Sequence, residues 1–232
     1  MHAGATNKSL ERQIWALEAY ANAARVLSVA KSVDGLAEGV SRGLTSQFPY
    51  VVAWVGIAQH DDDKSVKVIG VSGKAKAYAE GIVVSWNEND PSGKGPVGRA
   101  IRSGKTQLVN DALNDPAFAP WRDRADPYGI ASYVAVPIVQ QGNTVGALIV
   151  YASMVDAFSS TEVKLFENLG VEIGFGFASL ENQAHLEEER RQKESAQESA
   201  INSLELIISA MATTMEMRDP YTSGHQQKVA LI

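Results

Sequence analysis

Trp54, Trp86, Trp121, Tyr128 and Tyr133 each carry a large flat apolar ring with one polar atom, and Arg122 and Arg124 lie among the last three of them. Aromatic walls with a few polar groups suit a small aromatic or amphipathic ligand, and an arginine fork holds a carboxylate through paired hydrogen bonds. The alternative is that the rings fill a core and that Asp115, Arg122, Asp123, Arg124 and Asp126 form a surface ion-pair cluster of little energetic weight. His60 beside Asp61, Asp62 and Asp63 has metal-ligating residue types. Neighbours on a hairpin point in alternating directions, however, so a solvated turn is the expectation there. Gly93, Gly95 and Gly98 lack the dinucleotide-binding spacing, and no nucleophile stands with a base, so catalysis by this segment is not expected.

The chain around these residues has 232 positions, 45% hydrophobic and 21% charged, enough for one substantial core with helical extensions. Its formal charge is −6 and its basic residues are scattered, which argues against nucleic acid as a partner. No cysteine occurs, excluding disulfides, thiolate metal sites, thiol nucleophiles and thioether-linked chromophores. The N-terminus lacks a basic stretch followed by an apolar one. The longest apolar run, 50–58, is far short of the roughly 20 residues a membrane helix needs, so a cytoplasmic segment without membrane contact is expected.

Leu10, Ile14, Leu17, Ala21 and Ala24 recur at helical spacing after Ser9, predicting an N-terminal helix. A second helix starts near Asp34 and ends near Pro49, with Gly35, Gly39 and Gly43 marking a close approach. The pattern then turns to strands at 50–58 and 66–71, a short helix with Pro96 in its first turn, a strand at 106–109, and a second hairpin from 132–139 and 144–151. Between these, 114–128 holds three prolines and reads as a functional loop with a helical turn.

Ser159 and Glu162 form a capping box that starts a last helix. With Phe166 at heptad position a, the a positions are Ile173, Leu180, Glu187, Glu194, Ile201, Ile208 and Met215. The d positions are Leu169, Gly176, Gln183, Arg190, Gln197, Leu204 and Met211. The seam is apolar at both ends and polar between, which predicts a homodimer through this helix against the plainer reading of a solvated single helix.

The strings GPVGRAIRSGKTQLVND, PWRDRADPYGIASYVAVPI and GALIVYA, then FSSTE and a helix, resemble the GAF domain family of bacterial signalling proteins over residues 34–182. The resemblance implies an α+β fold: an antiparallel sheet with helices on one face, a small-molecule pocket on the other, and here a long C-terminal coiled-coil helix. In such a fold Trp54, Trp86, Trp121, Arg122, Tyr128 and Tyr133 would line the pocket. Bilin attachment and free methionine sulfoxide reductase activity, both known in the family, require cysteine. The signature of cyclic-nucleotide-binding members is matched only at Phe158 and Glu162, a spacing that also fits helix capping.

The string RDPYTSGHQQKVA, residues 218–230, resembles the opening of HD-GYP domains, which hydrolyse cyclic di-GMP at a metal centre. That resemblance implies that His225 would be the first metal ligand of a complete output domain holding divalent iron or manganese. The remaining motifs lie beyond Ile232, so no cofactor and no hydrolysis are expected of this segment. The organisation read from the sequence is thus an N-terminal helix at 1–33, a GAF-like sensor at 34–182, a helical linker at 183–200 and the start of an HD-GYP domain at 201–232. The rival is a purely structural GAF dimerisation module with a collapsed pocket.

Overall fold

The computed structural model describes residues 2–218, so His225 and nearly all of the HD-GYP-like string lie outside the described residues. The chain divides into two units, residues 1–181 and 182–232. The first is built on five antiparallel strands: β1 (Tyr50–Ala58), β2 (Val66–Ser72), β3 (Gln107–Val109), β4 (Ser132–Gln140) and β5 (Asn143–Ala152). Their spatial order is β2-β1-β5-β4-β3. Both predicted hairpins form, and β5 pairs with β1 to join them.

Side chains alternate across a strand, so each strand feeds two cores. Ala53, Val55, Val134, Val136, Leu148 and Val150 face a layer made by α1 (His2–Leu27), α2 (Val33–Leu44) and the first part of α6 (Ser160–Arg218). Val52, Trp54, Tyr133, Ala135, Ile149 and Tyr151 face the other way, under three short helices: α3 (Lys76–Ala79), α4 (Pro96–Ser103) and α5 (Ala119–Ala125). The long helices therefore occupy one face as expected, while short helices and loops roof the second.

Local chemistry fixes the ends of these elements. Ser32 caps α2 by accepting from the Gly35 N–H at 3.1 Å. At the start of α6 the Ser159 N–H donates to Glu162 Oε2 at 2.6 Å, half of the predicted capping box. That bond gives Glu162 a structural task, in place of the cyclic-nucleotide role its spacing also allowed. Gly43 lets α1 and α2 touch, because a Cβ there would stand 2.6 Å from the Ala23 nitrogen. Gly70 does the same for β2 under α2, where a Cβ would meet the Ala37 carbonyl carbon at 2.3 Å.

The seam read from the last helix divides at the unit boundary. Phe166, Leu169 and Ile173, expected to face a partner chain, are fully buried in the core of the first unit together with Phe177. Phe166 packs between Tyr50 and Phe158, with ring centroids at 5.6 and 5.9 Å. A 3.5-residue stripe and a 3.6-residue core face are the same residues over two turns, so the sequence pattern served the sheet instead. In the second unit Ile201, Leu204, Ile208, Met211 and Met215 are all exposed. The polar stretch before them carries surface pairs such as Arg190 to Glu187 at 2.7 Å and His185 to Glu189 at 3.3 Å, of the kind that adds little stability.

A hydrogen bond ties α1 to α6: the Tyr20 hydroxyl donates to Glu172 Oε1 at 2.6 Å. That bond, with burial, pushes the phenol up from 10.0 to about 12. The neutral phenol is the partner, so its contribution is complete below the ordinary value near 10 and is lost as pH rises through about 12. Urea titration of Tyr20→Phe against the parent chain is expected to show a deficit that is constant at neutral pH and disappears above about pH 12. A deficit independent of pH would mean that the ring, not the hydroxyl, does the holding.

Candidate functional site

The second face of the sheet holds the aromatic cluster. Trp54 on β1, Tyr133 on β4 and Tyr151 on β5 are neighbours through strand pairing, and all three are buried. Tyr78 on α3 packs edge-on to Tyr151 at 5.3 Å, and Phe118 lies 5.1 Å from Tyr133. Trp121 on α5 closes the top: its six-membered ring rests on Gly95, where a Cβ would come within 2.3 Å of Cη2. Any side chain at 95 would lift the indole. The cavity left among Trp54, Ile82, Val97, Phe118, Trp121 and Tyr151 is about 10 Å³, room for one water at most.

Three further sequence-predicted residues stand around this cluster in different ways. Tyr128 is half-buried at its edge, 6.3 Å from Tyr78. Arg122 donates Nη2 to the Asp115 carbonyl at 3.1 Å, and its Nε is buried without a partner. Trp86 is elsewhere. Its Nε1 donates to the Gln59 carbonyl at 2.8 Å and its ring takes His60 and the Lys64 ammonium, so it anchors the β1–β2 turn instead of lining the cavity. In that turn Asp61 accepts from both the Ser65 N–H and hydroxyl, bonds that hold its carboxyl below the usual range. Among the described residues no group of histidine and acidic side chains is placed to hold a metal.

The charged loop works as a clasp. Tyr133 donates its hydroxyl to Asp115 Oδ2 at 2.5 Å. Arg124 donates Nε to the Tyr78 carbonyl at 2.7 Å and Nη2 to the carbonyls of Ala77, at 3.3 Å, and Glu80. These bonds strap α5 to α3 and, through Asp115 and Tyr133, the loop before it to the sheet.

Two donors inside are left over. Trp54 Nε1 and the Tyr78 hydroxyl are buried and make no well-aligned hydrogen bond, the Tyr151 hydroxyl being the polar group beside each of them. Desolvation pushes the Tyr78 phenol up to about 12, and Tyr133 and Tyr151 are raised further by burial, with Asp115 and Tyr78 respectively adding to it. At neutral pH the cavity therefore offers neutral donors and no nucleophile. A buried unpartnered polar group costs about 1–3 kcal/mol. Tyr78→Phe is accordingly expected to raise the unfolding free energy of the ligand-free chain by about 1 kcal/mol in urea titration. A loss of similar size would show that the hydroxyl is already satisfied.

Tyr151 and Phe118 line the cavity beyond the predicted set, with Tyr78 packed against Tyr151 and Arg124 strapping the roof. Tyr151 was within reach of the alternation of β5, which puts it beside Trp54. Tyr78 sits in a four-residue helix with no periodic signal.

Solved structures share this architecture at low identity. The GAF domain of a phosphoenolpyruvate-protein phosphotransferase from Coxiella burnetii is 16% identical with a TM-score of 0.59, over 74% of this chain and 98% of that one. The free methionine-R-sulfoxide reductase of Neisseria meningitidis, solved with its substrate, is also 16% identical, with a TM-score of 0.57, over 73% and 93%. The GAF domain of a phosphoenolpyruvate-protein phosphotransferase from Acinetobacter is 11% identical with a TM-score of 0.57, over 73% and 97%. These likenesses concern the fold alone. No curated protein matches the chain. Over residues 30–178 the chain matches the GAF domain, a regulatory ligand-binding or dimerisation domain, and it belongs to that family.

Proposed function

We propose that the chain is the ligand-sensing and dimerising segment of a bacterial, cytoplasmic cyclic di-GMP phosphodiesterase, without catalysis of its own. The observation that carries the sensing half is the pair of buried donors, Trp54 Nε1 and the Tyr78 hydroxyl, under a roof strapped together by Arg124. A ligand that presents acceptors to both would recover their desolvation cost and so favour an open roof over the closed one. The output half rests on the resemblance of residues 218–230 to the start of an HD-GYP domain, with His225 as a first ligand to iron or manganese. The exposed seam at Ile201, Leu204, Ile208 and Met211 suits a homodimer, and the polar stretch before it weakens any single helix register. Binding that shifts the packing of the first part of α6 would then select between registers a few kcal/mol apart.

A second reading has its own support. A cavity of about 10 Å³ is close to a filled core, which is what a structural dimerisation module would have.

The output half is tested by incubating cyclic di-GMP with manganese and either residues 1–232 or the protein extended into its natural C-terminal continuation. The expectation is hydrolysis by the extended protein only. Hydrolysis by residues 1–232 would contradict the regulatory reading, and none by either would remove the phosphodiesterase.

A further inference from the structure

Four arginines stand around the roof of the cavity, and three are committed to backbone carbonyls. Arg102 donates Nη1 to Trp86 and Gly93 at 2.9 and 2.8 Å, Arg122 to Asp115, and Arg124 to α3. Arg99 is different. It is half-buried on α4, its Nε is shut off from solvent, and its guanidinium makes no hydrogen bond or ion pair among the described residues. The Nε is the atom withheld from water, the Tyr133 hydroxyl bonded to Asp115 lies within electrostatic reach, and the rest of the fork borders open space where an anion could take it.

Arg99 borders an open groove of about 500 Å³ whose other lining residues are Pro91, Lys94, Arg102, Pro116 and Pro120. Three cations and three apolar proline rings line it, with no carboxylate among them. With Glu88 it also borders a second groove of about 330 Å³. Pro120 precedes Trp121, so the first groove lies directly against the roof of the aromatic cavity.

We infer that this groove binds a small organic oxyanion, a carboxylate or phosphate monoester on a flat apolar body. The Arg99 fork takes the oxyanion, and Pro116 and Pro120 pack against the body. The inference rests on the ligand-sensing reading above and gives its ligand a chemical class. Seated against Pro120, such an anion would act on the same α5 that carries Trp121.

The test is calorimetric titration of residues 1–232 with benzoate, phenyl phosphate, benzyl alcohol and inorganic phosphate at constant ionic strength. One of the two aryl anions is expected to bind saturably, at least 10-fold tighter than benzyl alcohol and inorganic phosphate. Arg99→Gln should lower that affinity at least 10-fold. Arg99→Lys, keeping the charge without the fork, should fall between, and Lys67→Gln on the exposed side of β2 should bind as the parent chain does. Equal binding of benzyl alcohol, or binding indifferent to Arg99→Gln, would overturn the inference and leave ligand sensing in place. Inorganic phosphate binding as tightly as phenyl phosphate would overturn the organic body. Binding of none of the four would overturn the inference outright; the sensing reading falls only if Tyr78→Phe also destabilises the free chain.

Discussion

Phe166→Ala is expected to destabilise the chain by about 3–5 kcal/mol, the range for truncating a fully buried phenylalanine, and to lower the midpoint of thermal unfolding by about 6–20 °C. The ring is enclosed between Tyr50 of β1 and Phe158 before α6, in the layer where Leu169, Ile173 and Phe177 also lie. Removing it leaves a cavity that a sheet on one side and a helix on the other have little freedom to collapse. Calorimetry at several protein concentrations checks the result. A loss that vanishes on dilution, with the dimer weakened and the monomer intact, would return Phe166 to a seam between chains.

Phe166 also marks where sequence reading reaches its end. Its helix was legible from the capping box and the spacing, but the identity of the surface it meets was not. Two turns of apolar residues fit a coiled coil and a core equally, and only the pairing of β4 and β5 underneath decides. The apolar side chains that α6 leaves in solvent within the first unit are instead Val171 and Phe175, at 60% and 78% exposure, outside the a and d positions. Strands were read well because alternation has one interpretation, and Trp54 and Tyr133 fell on the cavity side accordingly. Trp86 did not. Indoles suit a pocket wall and a turn anchor alike, and its Nε1 bond to Gln59 is a contact along the hairpin that residue type cannot announce. Arg99 was missed for the opposite reason: it lies mid-helix on α4 with nothing in its sequence neighbourhood to single it out, and its significance comes from the commitments of Arg102, Arg122 and Arg124 around it.

The second large effect is expected in the second unit. Ile208→Asp should raise the dimer dissociation constant at least 100-fold, equivalent to about 2.7 kcal/mol. Ile208 is 57% exposed in the single chain and shares its stripe with Ile201, Leu204, Met211 and Met215. An apolar stripe of that length is stable in water when another covers it, and a carboxylate in the middle would then be buried without a partner. Thermal unfolding of the first unit should be unaffected, since no residue of its core changes. Unaltered self-association would place the dimer contact elsewhere, and the exposed Val171 and Phe175 would be the next surface to substitute.

The dimeric relay is the centre of the account, and sedimentation equilibrium on residues 1–232 and on a version ending at Leu180 tests it most directly. The shorter version keeps Phe166, Leu169, Ile173 and Phe177, so the first unit retains its core. A dimer is expected for residues 1–232 and a folded monomer for the truncated version. A monomer in both cases, or a dimer that survives truncation, would contradict a relay through the C-terminal seam.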